Sequence, residues 1–194
     1  MSPWSREKYI RAYRFAAEAH RGQTLPGSEK PYIVHPTLVA MEIIALLSIE
    51  PGWDGDLALQ TALLHDVLED SDRKVEEIET RFGKPVADGV QALTKNVRIE
   101  DRRERLAENL ERIRKQPWEI WLVKMADRLT NLAAPPPIWT SRQVAEYRKE
   151  AVLIHRALGK ANPFLARRLS RRIAAYPPRA GYGAAAGQTV TPPE

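Results

Sequence analysis

The chain has 194 residues, of which 43% are hydrophobic and 28% are charged, so it is long enough to fold as one soluble globular domain with its own core. It contains no cysteine, which excludes disulfide bonds, thiolate nucleophiles and every cysteine-based zinc site. Any metal ion must therefore be held by His, Asp or Glu. The net charge of +5 suits an anionic ligand, but no run of consecutive Lys and Arg indicates a nucleic-acid partner.

The sequence also lacks the features of an exported or membrane protein. Its first residues do not contain the apolar core of a signal peptide. No apolar run approaches the roughly 18 residues that a membrane-spanning helix needs. We therefore expect a cytoplasmic protein with no membrane partner.

Apolar residues at helical spacing, separated by segments rich in Pro and Gly, predict an all-α fold. No segment shows the alternation of a β-strand, and the pattern predicts a bundle of roughly eight to ten helices. The last residues, 176–194, are rich in Pro, Gly and Ala, and we expect them to form a disordered tail behind a single domain of residues 1–175. The predicted helices span about residues 5–20, 36–48, 56–70, 75–82, 85–93, 100–115, 117–131, 141–158 and 163–175.

The predicted central helix, 56–70, carries an unusually polar cluster in an apolar setting. His65 and Glu69 are four residues apart, as are Asp66 and Asp70, so each pair shares a helix face one turn apart. Charged groups are costly to bury unless they are paired or bind a metal ion. The cluster therefore points to a cation.

Two other segments supply matching side chains. In the apolar helix around residues 122–132, Asp127 and Asn131 are again four residues apart, and His35 lies where a loop meets a helix. Each of these residues alone is typical of ordinary structure, so the inference rests on their combination. Two His and two Asp suit Mn, Fe, Zn, Co or Ni. Such a metal lowers the pKa of bound water and polarises a phosphoryl oxygen, and Glu69 or Asp70 would then orient or deprotonate that water.

Taken together, these motifs resemble the HD-domain metal-dependent phosphohydrolases. The similarity is closer to one branch, the hydrolase domain of the RelA/SpoT alarmone enzymes of the stringent response and the stand-alone small alarmone hydrolases. The matching stretches occur in the right order between about residues 8 and 160, and they are residues 19–23, 31–36, 62–70, 82–83, 93–95 and 124–132.

The resemblance implies an HD-domain helical bundle that removes the 3′-pyrophosphate from ppGpp and pppGpp with Mn²⁺. It implies hydrolysis without a synthetase activity, a small purine nucleotide as substrate, and three sets of site residues. The metal ligands would be His35, His65, Asp66 and Asp127; the groups that activate and place water would be Glu69 and Asp70; and the substrate-binding residues would be Asn131, Lys95, Lys124 and Arg128.

One loop departs from the family pattern. Alarmone hydrolases usually carry an Arg-Lys pair after the Gly-Gln of the first motif, and this pair packs against the guanine base. Here Leu25 and Pro26 occupy those positions in the loop 24–30, and neither can stack a guanidinium on a base. Our hypothesis is that the enzyme cleaves a purine nucleotide 3′-pyrophosphate and either prefers adenine, as in ppApp or pppApp, or is less base-selective.

Two alternative functions remain open at the level of sequence. One is a general HD-domain nucleotide phosphohydrolase, including a phosphatase acting on the 2′-phosphate of NADPH. The other is a catalytically silent nucleotide-binding module. The oligomeric state is also open, because single aromatic residues can serve either the core or a homo-oligomer interface, namely Trp118, Trp121, Trp139 and Phe164.

Overall fold

A computed structural model describes residues 4–177 of the chain. Within this range the protein is all-α, as the sequence predicts, and its one β-type feature is an isolated antiparallel bridge between Thr24 and Pro31. The tail that we expect to be disordered falls almost entirely on residues 178–194, which lie outside the described residues.

The described part of the chain contains ten α-helices and one short 3-10 helix, Gly159–Ala161. In chain order the α-helices are α1 (Arg6–Ala19), α2 (Val34–Leu47), α3 (Gly55–Leu64), α4 (Val67–Asp70), α5 (Val75–Phe82), α6 (Lys84–Leu93), α7 (Arg102–Arg114), α8 (Trp118–Asn131), α9 (Ser141–Leu158) and α10 (Pro163–Ala174).

Five of the helices begin at a side chain that accepts a hydrogen bond from the first turn. A short polar side chain at this position satisfies a backbone N–H that has no partner inside the helix. In α9 the cap is reciprocal, because the side chain of Gln143 accepts from the backbone N–H of Thr140. The capping residues are Ser5, Asp54, Asp101, Thr140 and Asn162.

Helices α3 and α8 form the centre of the bundle and contact each other as well as α2 and α6. Nearly every residue of α3 is buried, and α8 is buried continuously from Ile120 to Leu129. Helices that are buried on most of their sides are expected at the core of a helical protein. None of the helices within residues 4–177 has both the length and the apolar character required to cross a membrane.

The predicted central helix, 56–70, is not continuous, and this prediction was wrong in one important respect. The chain turns at His65 and Asp66, which separates α3 from the single turn of α4. In a continuous helix adjacent side chains point about 100° apart. The turn instead brings the two neighbours together, with His65 Nε2 3.0 Å from Asp66 Oδ2.

The four aromatic residues that could serve either the core or an interface have different environments. Trp121 belongs to the buried core, whereas Trp118 is 48% exposed. The centroids of the two indole rings are 6.0 Å apart. Trp139 and Phe164 are half-buried. The charged helix α7 buries one side through Asn109, Leu110 and Ile113.

Candidate active site

Three separate parts of the chain bring imidazole and carboxylate groups to one point. His35 comes from the first turn of α2, His65 and Asp66 from the turn between α3 and α4, and Asp127 from the buried part of α8. His35 Nε2 lies 3.2 Å from His65 Nε2, 3.5 Å from Asp66 Oδ2 and 3.4 Å from Asp127 Oδ1. The four residues that the sequence marks as metal ligands are therefore neighbours.

The orientation of His65 is fixed by the backbone. Its Nδ1 donates to the carbonyl oxygen of Ala62 at 2.8 Å, so that in the neutral ring the lone pair is on Nε2 and points at the cluster. A ligand histidine is commonly held in this way by a hydrogen bond from its other nitrogen.

The charged groups of the cluster shift one another's pKa values. Burial would raise the pKa of Asp66, but the adjacent His65 and His35 outweigh it and hold that pKa well below its usual range. Asp127 behaves in the same way, with Lys124 as the largest opposing influence. Burial would lower the pKa of His65, but Asp66 and Asp127 raise it to about 9.

Neighbouring side chains orient both carboxylates. The Tyr32 hydroxyl donates to Asp66 Oδ2 at 2.7 Å. Asp127 accepts from Asn131 Nδ2 at 2.6 Å through one oxygen and faces Lys124 Nζ at 3.3 Å through the other. Lys124 is only 6% exposed, so its ammonium is a buried partner of Asp127 and not the solvated surface charge that a lone lysine usually represents.

The donor set fits a divalent metal ion. His35, His65 and Asp127 each offer a ligand atom within 4.8 Å of the others, and Asp66 lies against both imidazoles. Nitrogen and oxygen donors in equal number suit a first-row transition metal. A metal cation would also balance the negative charge of the two carboxylates, which otherwise pair with two histidines and one lysine.

Helix α4 carries the two carboxylates predicted to manage water. Glu69 accepts from Lys95 twice, from the side-chain Nζ at 2.5 Å and from the backbone N–H at 3.2 Å. Asp70 lies at the exposed rim next to Asp66. Partial burial, followed by the negative charges of Asp66 and Glu69, raises the pKa of Asp70.

A cavity of about 460 Å³ opens onto the metal-ligand cluster. Its size lies in the range of small-molecule binding sites. All four residues that the sequence predicts for substrate binding line it, namely Lys95, Lys124, Arg128 and Asn131.

Sequence reasoning missed a second group of residues that line the cavity. Arg128 Cζ lies 3.9 Å from the centroid of the Tyr147 ring, and Glu150 pairs with both Arg128 and Arg102. Arg105 also lines the cavity and donates to the backbone oxygen of Ile99. Arg128 on α8 was predicted, but Arg102 and Arg105 come from α7, and Tyr147 and Glu150 come from α9. Their spacing in the sequence carries no signal of a shared site.

The loop that departs from the family pattern does not line the cavity. None of the described residues 24–30 is part of the wall, whereas Tyr32, two residues after the loop, is. Gly27 lies against Pro137, so the loop meets the proline-rich segment that follows α8.

Comparisons with known proteins identify the family of this chain. The HD domain family model matches residues 12–163. The chain is 36% identical over 161 residues to the MESH1 guanosine-3′,5′-bis(diphosphate) 3′-pyrophosphohydrolase of Xenopus tropicalis, covering 80% of this chain and 87% of the relative.

A bacterial relative and a solved structure are also similar to this chain. The corresponding hydrolase of Aquifex aeolicus is 38% identical over 144 residues, which is 73% of this chain but only 19% of that much longer protein. A solved structure of a metazoan orthologue of SpoT, described as hydrolysing ppGpp, superposes with a TM-score of 0.77 at 28% identity and covers 88% of this chain and 96% of its own. The chain therefore belongs to the HD-domain phosphohydrolase family, in the branch that contains the MESH1 and SpoT hydrolases.

Proposed function

We propose that this protein is a metal-dependent pyrophosphohydrolase that removes the 3′-pyrophosphate from an alarmone nucleotide, either (p)ppGpp or (p)ppApp. The observation that carries the proposal is the convergence of His35, His65, Asp66 and Asp127 beside Glu69 and Asp70, at one end of a cavity whose walls also carry cationic side chains. The names of the relatives support the same reaction.

The metal ion that we propose is Mn²⁺, held by His35, His65, Asp66 and Asp127. When bound, it would polarise a phosphoryl oxygen and lower the pKa of coordinated water. The residues themselves are already oriented for this task, because Tyr32 and Asn131 hold the two carboxylates and Ala62 holds His65.

The cations of the cavity are suited to bind the phosphate groups. Lys124 lies 3.3 Å from Asp127, directly beside the proposed metal site, and Lys95 lies beside Glu69. Negative neighbours, chiefly Glu69, outweigh the effect of burial and raise the pKa of Lys95, so it is a cation at neutral pH. Arg128 also lines the cavity and would contact the nucleoside or its 5′-phosphates.

Glu69 and Asp70 would manage the attacking water. Water adds to the phosphorus attached to the 3′-oxygen, the bond between them breaks, and pyrophosphate leaves while the 3′-oxygen takes up a proton. Asp70 is the better candidate to accept the proton of the water, because its pKa is raised whereas Glu69 is engaged twice by Lys95.

The base is the least constrained part of the substrate. Because none of residues 24–30 lines the cavity and Leu25 and Pro26 replace a basic pair, we propose that this loop no longer selects guanine. An adenine alarmone would then be accepted alongside or in preference to a guanine one.

A product assay with a substrate panel tests the function. The protein is incubated with Mn²⁺ and ppGpp, pppGpp, ppApp, pppApp or NADPH, and inorganic pyrophosphate and orthophosphate are measured separately. We expect pyrophosphate from the alarmones and its loss on addition of EDTA. Orthophosphate from NADPH as the main product would instead indicate a phosphatase, and no product from any substrate would indicate a binding module.

Two variants make the assay specific to the site. Asp66→Ala removes a proposed ligand and should abolish turnover, whereas Asp88→Ala, which removes only an exposed partner of Lys84, should leave it unchanged. Full activity of Asp66→Ala would refute the proposed metal site. A clear preference for ppGpp over ppApp would refute the relaxed base selection while leaving the reaction intact.

A further inference from the structure

A buried histidine outside the proposed metal site is connected to the helix that carries the water-managing carboxylates. His20 caps the end of α1 and is only 3% exposed. Its Nδ1 lies 2.8 Å from Gln23 Oε1, and Gln23 Nε2 donates to the backbone oxygen of Asp70 at 2.5 Å. A chain of two hydrogen bonds therefore runs from α1 to the end of α4.

The direction of this chain is determined by the chemistry of its ends. The carbonyl of Asp70 can only accept, so the amide NH₂ of Gln23 must face it. The amide oxygen of Gln23 then faces His20 and can only accept, so His20 Nδ1 must carry the proton. The other ring nitrogen of His20, Nε2, is buried and has no hydrogen-bond partner within residues 4–177, which leaves Gln23 as the single polar contact that orients the ring.

The loop between α1 and α2 is built to present Gln23. Gly22 has a φ of +79°, a left-handed conformation that residues with a side chain rarely adopt. After this turn the chain pairs with itself, since Tyr32 N–H donates to Gln23 O at 2.9 Å and Thr24 bridges to Pro31. This pairing places Gln23 beside Tyr32, whose ring packs on His20 with centroids 4.8 Å apart.

The side chains of Tyr32 and Gln23 hold α4 at its two ends. Tyr32 donates to Asp66 Oδ2 at the start of the helix, and Gln23 donates to the backbone of Asp70 at its end. A helix of four residues cannot hold itself, because forming a first turn fixes several residues for a single hydrogen bond. The carbonyls of the last turn also have no partner inside a helix, and Gln23 supplies one.

We infer that His20 and Gln23 are positioning residues that hold Asp70 in place for catalysis. They do not touch the metal site or line the cavity. Instead, the hydrogen bond to the Asp70 backbone sets where its carboxylate stands at the rim, while His20 fixes the rotamer of Gln23. The inference rests on the proposed function for its effect on turnover, but the tether to α4 is a structural feature that can be measured by itself.

Four variants test the tether. Gln23→Met keeps the length of the side chain but removes both polar atoms, and His20→Leu removes the donor that orients Gln23. His20→Asn is the conservative counterpart, because its amide nitrogen can stand where Nδ1 stood. Gln91→Met, at an exposed glutamine on α6, is the control for the same chemical change elsewhere.

The measurements are kcat and KM for pyrophosphate release from ppGpp and ppApp, Mn²⁺ affinity by calorimetry, and hydrogen exchange of the backbone at residues 67–71. We expect Gln23→Met and His20→Leu to lower kcat roughly 10- to 100-fold, the range expected for a displacement of about 1 Å near the chemistry. KM and Mn²⁺ affinity should stay within about twofold, and exchange at residues 67–71 should accelerate. His20→Asn should recover most of the kcat and the slow exchange that His20→Leu loses, because its amide can again donate to Gln23.

Normal kcat and normal exchange in Gln23→Met would overturn the inference. A loss of Mn²⁺ affinity in proportion to kcat would also overturn it, because the tether would then serve the metal ligands and not Asp70. If the wild-type protein releases no pyrophosphate, the proposed function fails, whereas the exchange of residues 67–71 still decides whether Gln23 holds α4.

Discussion

Each carboxylate of the proposed metal site is oriented by a neighbour that is not itself a ligand. Asp66 accepts from the Tyr32 hydroxyl, and Asp127 accepts from Asn131 while facing Lys124. Burial, then the negative charge of Asp66, raises the pKa of Tyr32, so its hydroxyl keeps the proton that it donates. Residues that hold a ligand in this way affect metal affinity without contacting the metal.

Replacing Tyr32 tests this orientation directly. Tyr32→Phe removes the 2.7 Å hydrogen bond to Asp66 and leaves the ring that packs on His20. Because loss of such a supporting contact typically weakens metal binding 10- to 100-fold, we expect Mn²⁺ affinity to fall roughly tenfold in a calorimetric titration. Tyr13→Phe, at a tyrosine 37% exposed on the surface, should leave the affinity unchanged. Equal affinities for Tyr32→Phe and the wild type would contradict the role given to Tyr32.

Replacing Lys124 should affect substrate binding and metal binding differently. Its buried ammonium, 3.3 Å from Asp127, would oppose a metal cation there, whereas in the proposed role it would attract the phosphates of the substrate. Lys124→Met should therefore lower kcat/KM roughly 10- to 100-fold, as expected for loss of one hydrogen bond to a charged group of about 1.5–3 kcal/mol, while Mn²⁺ binds at least as tightly as before. Steady-state kinetics and calorimetry measure the two effects, and Lys115→Met on the surface is the matched control. Weaker Mn²⁺ binding with unchanged kcat/KM would reverse the assignment.

The proposed ligands could be predicted from the sequence, whereas several of their partners could not. His65, Asp66, Glu69 and Asp70 stand out because they interrupt an apolar helix, where charge is costly. Glu150 gives no such signal in the sequence, because it follows three charged residues, Glu146, Arg148 and Lys149, in α9. Its pairing with Arg102 and Arg128 depends on how two helices pack, which local spacing does not encode.

At the level of secondary structure, the division between α3 and α4 shapes the site. The apolar periodicity of residues 56–64 predicts α3 well, because nearly all of its residues enter the core. The break after Leu64 has no Pro or Gly to announce it. It depends on tertiary contacts from distant segments, with Tyr32 holding Asp66 and Gln23 holding the Asp70 backbone, so a local pattern predicts one helix where two form.

A buried asparagine connects α7 to the end of α6 just before Lys95. Asn109 is 1% exposed, and its Nδ2 donates to the backbone oxygens of Ala92 at 2.9 Å and Leu93 at 3.2 Å. These carbonyls lie at the end of a helix and have no partner inside it. The contact therefore fixes where α6 ends and where the following segment enters the cavity wall.

Removing this contact should destabilise the protein. Asn109→Ala leaves buried carbonyl groups without a donor, which costs about 1–3 kcal/mol, so we expect a lower free energy of unfolding in urea by about 2 kcal/mol. Glu111→Ala, an exposed position on the same helix, should change it by less than about 0.5 kcal/mol. If the two variants unfold at the same urea concentration, Asn109 does not contribute to the packing of α6 against α7.

At the scale of the whole molecule, the candidate metal centre joins segments that are far apart in the sequence. His35 stands at the start of α2, the His65–Asp66 turn follows α3, and Asp127 lies in α8, so the cluster exists only when these three parts are packed together. The core positions them, since nearly all of α3 and the middle of α8, from Ile120 to Leu129, are buried, and both helices contact each other and α2. An unfolded chain separates the same groups, so a metal ion should favour the folded state.

Metal binding should therefore raise the global stability of the protein. At a free Mn²⁺ concentration about 100 times its dissociation constant, binding adds about 2.7 kcal/mol, which for a domain of this length raises Tm by about 5–10 °C. Differential scanning calorimetry with and without Mn²⁺ measures the shift, and EDTA should abolish it. Asp127→Asn, which nearly preserves the shape of a proposed ligand but removes its charge, should show little or no shift whatever its own Tm. An equal shift in Asp127→Asn would mean that Mn²⁺ binds the folded protein elsewhere than at His35, His65 and Asp127.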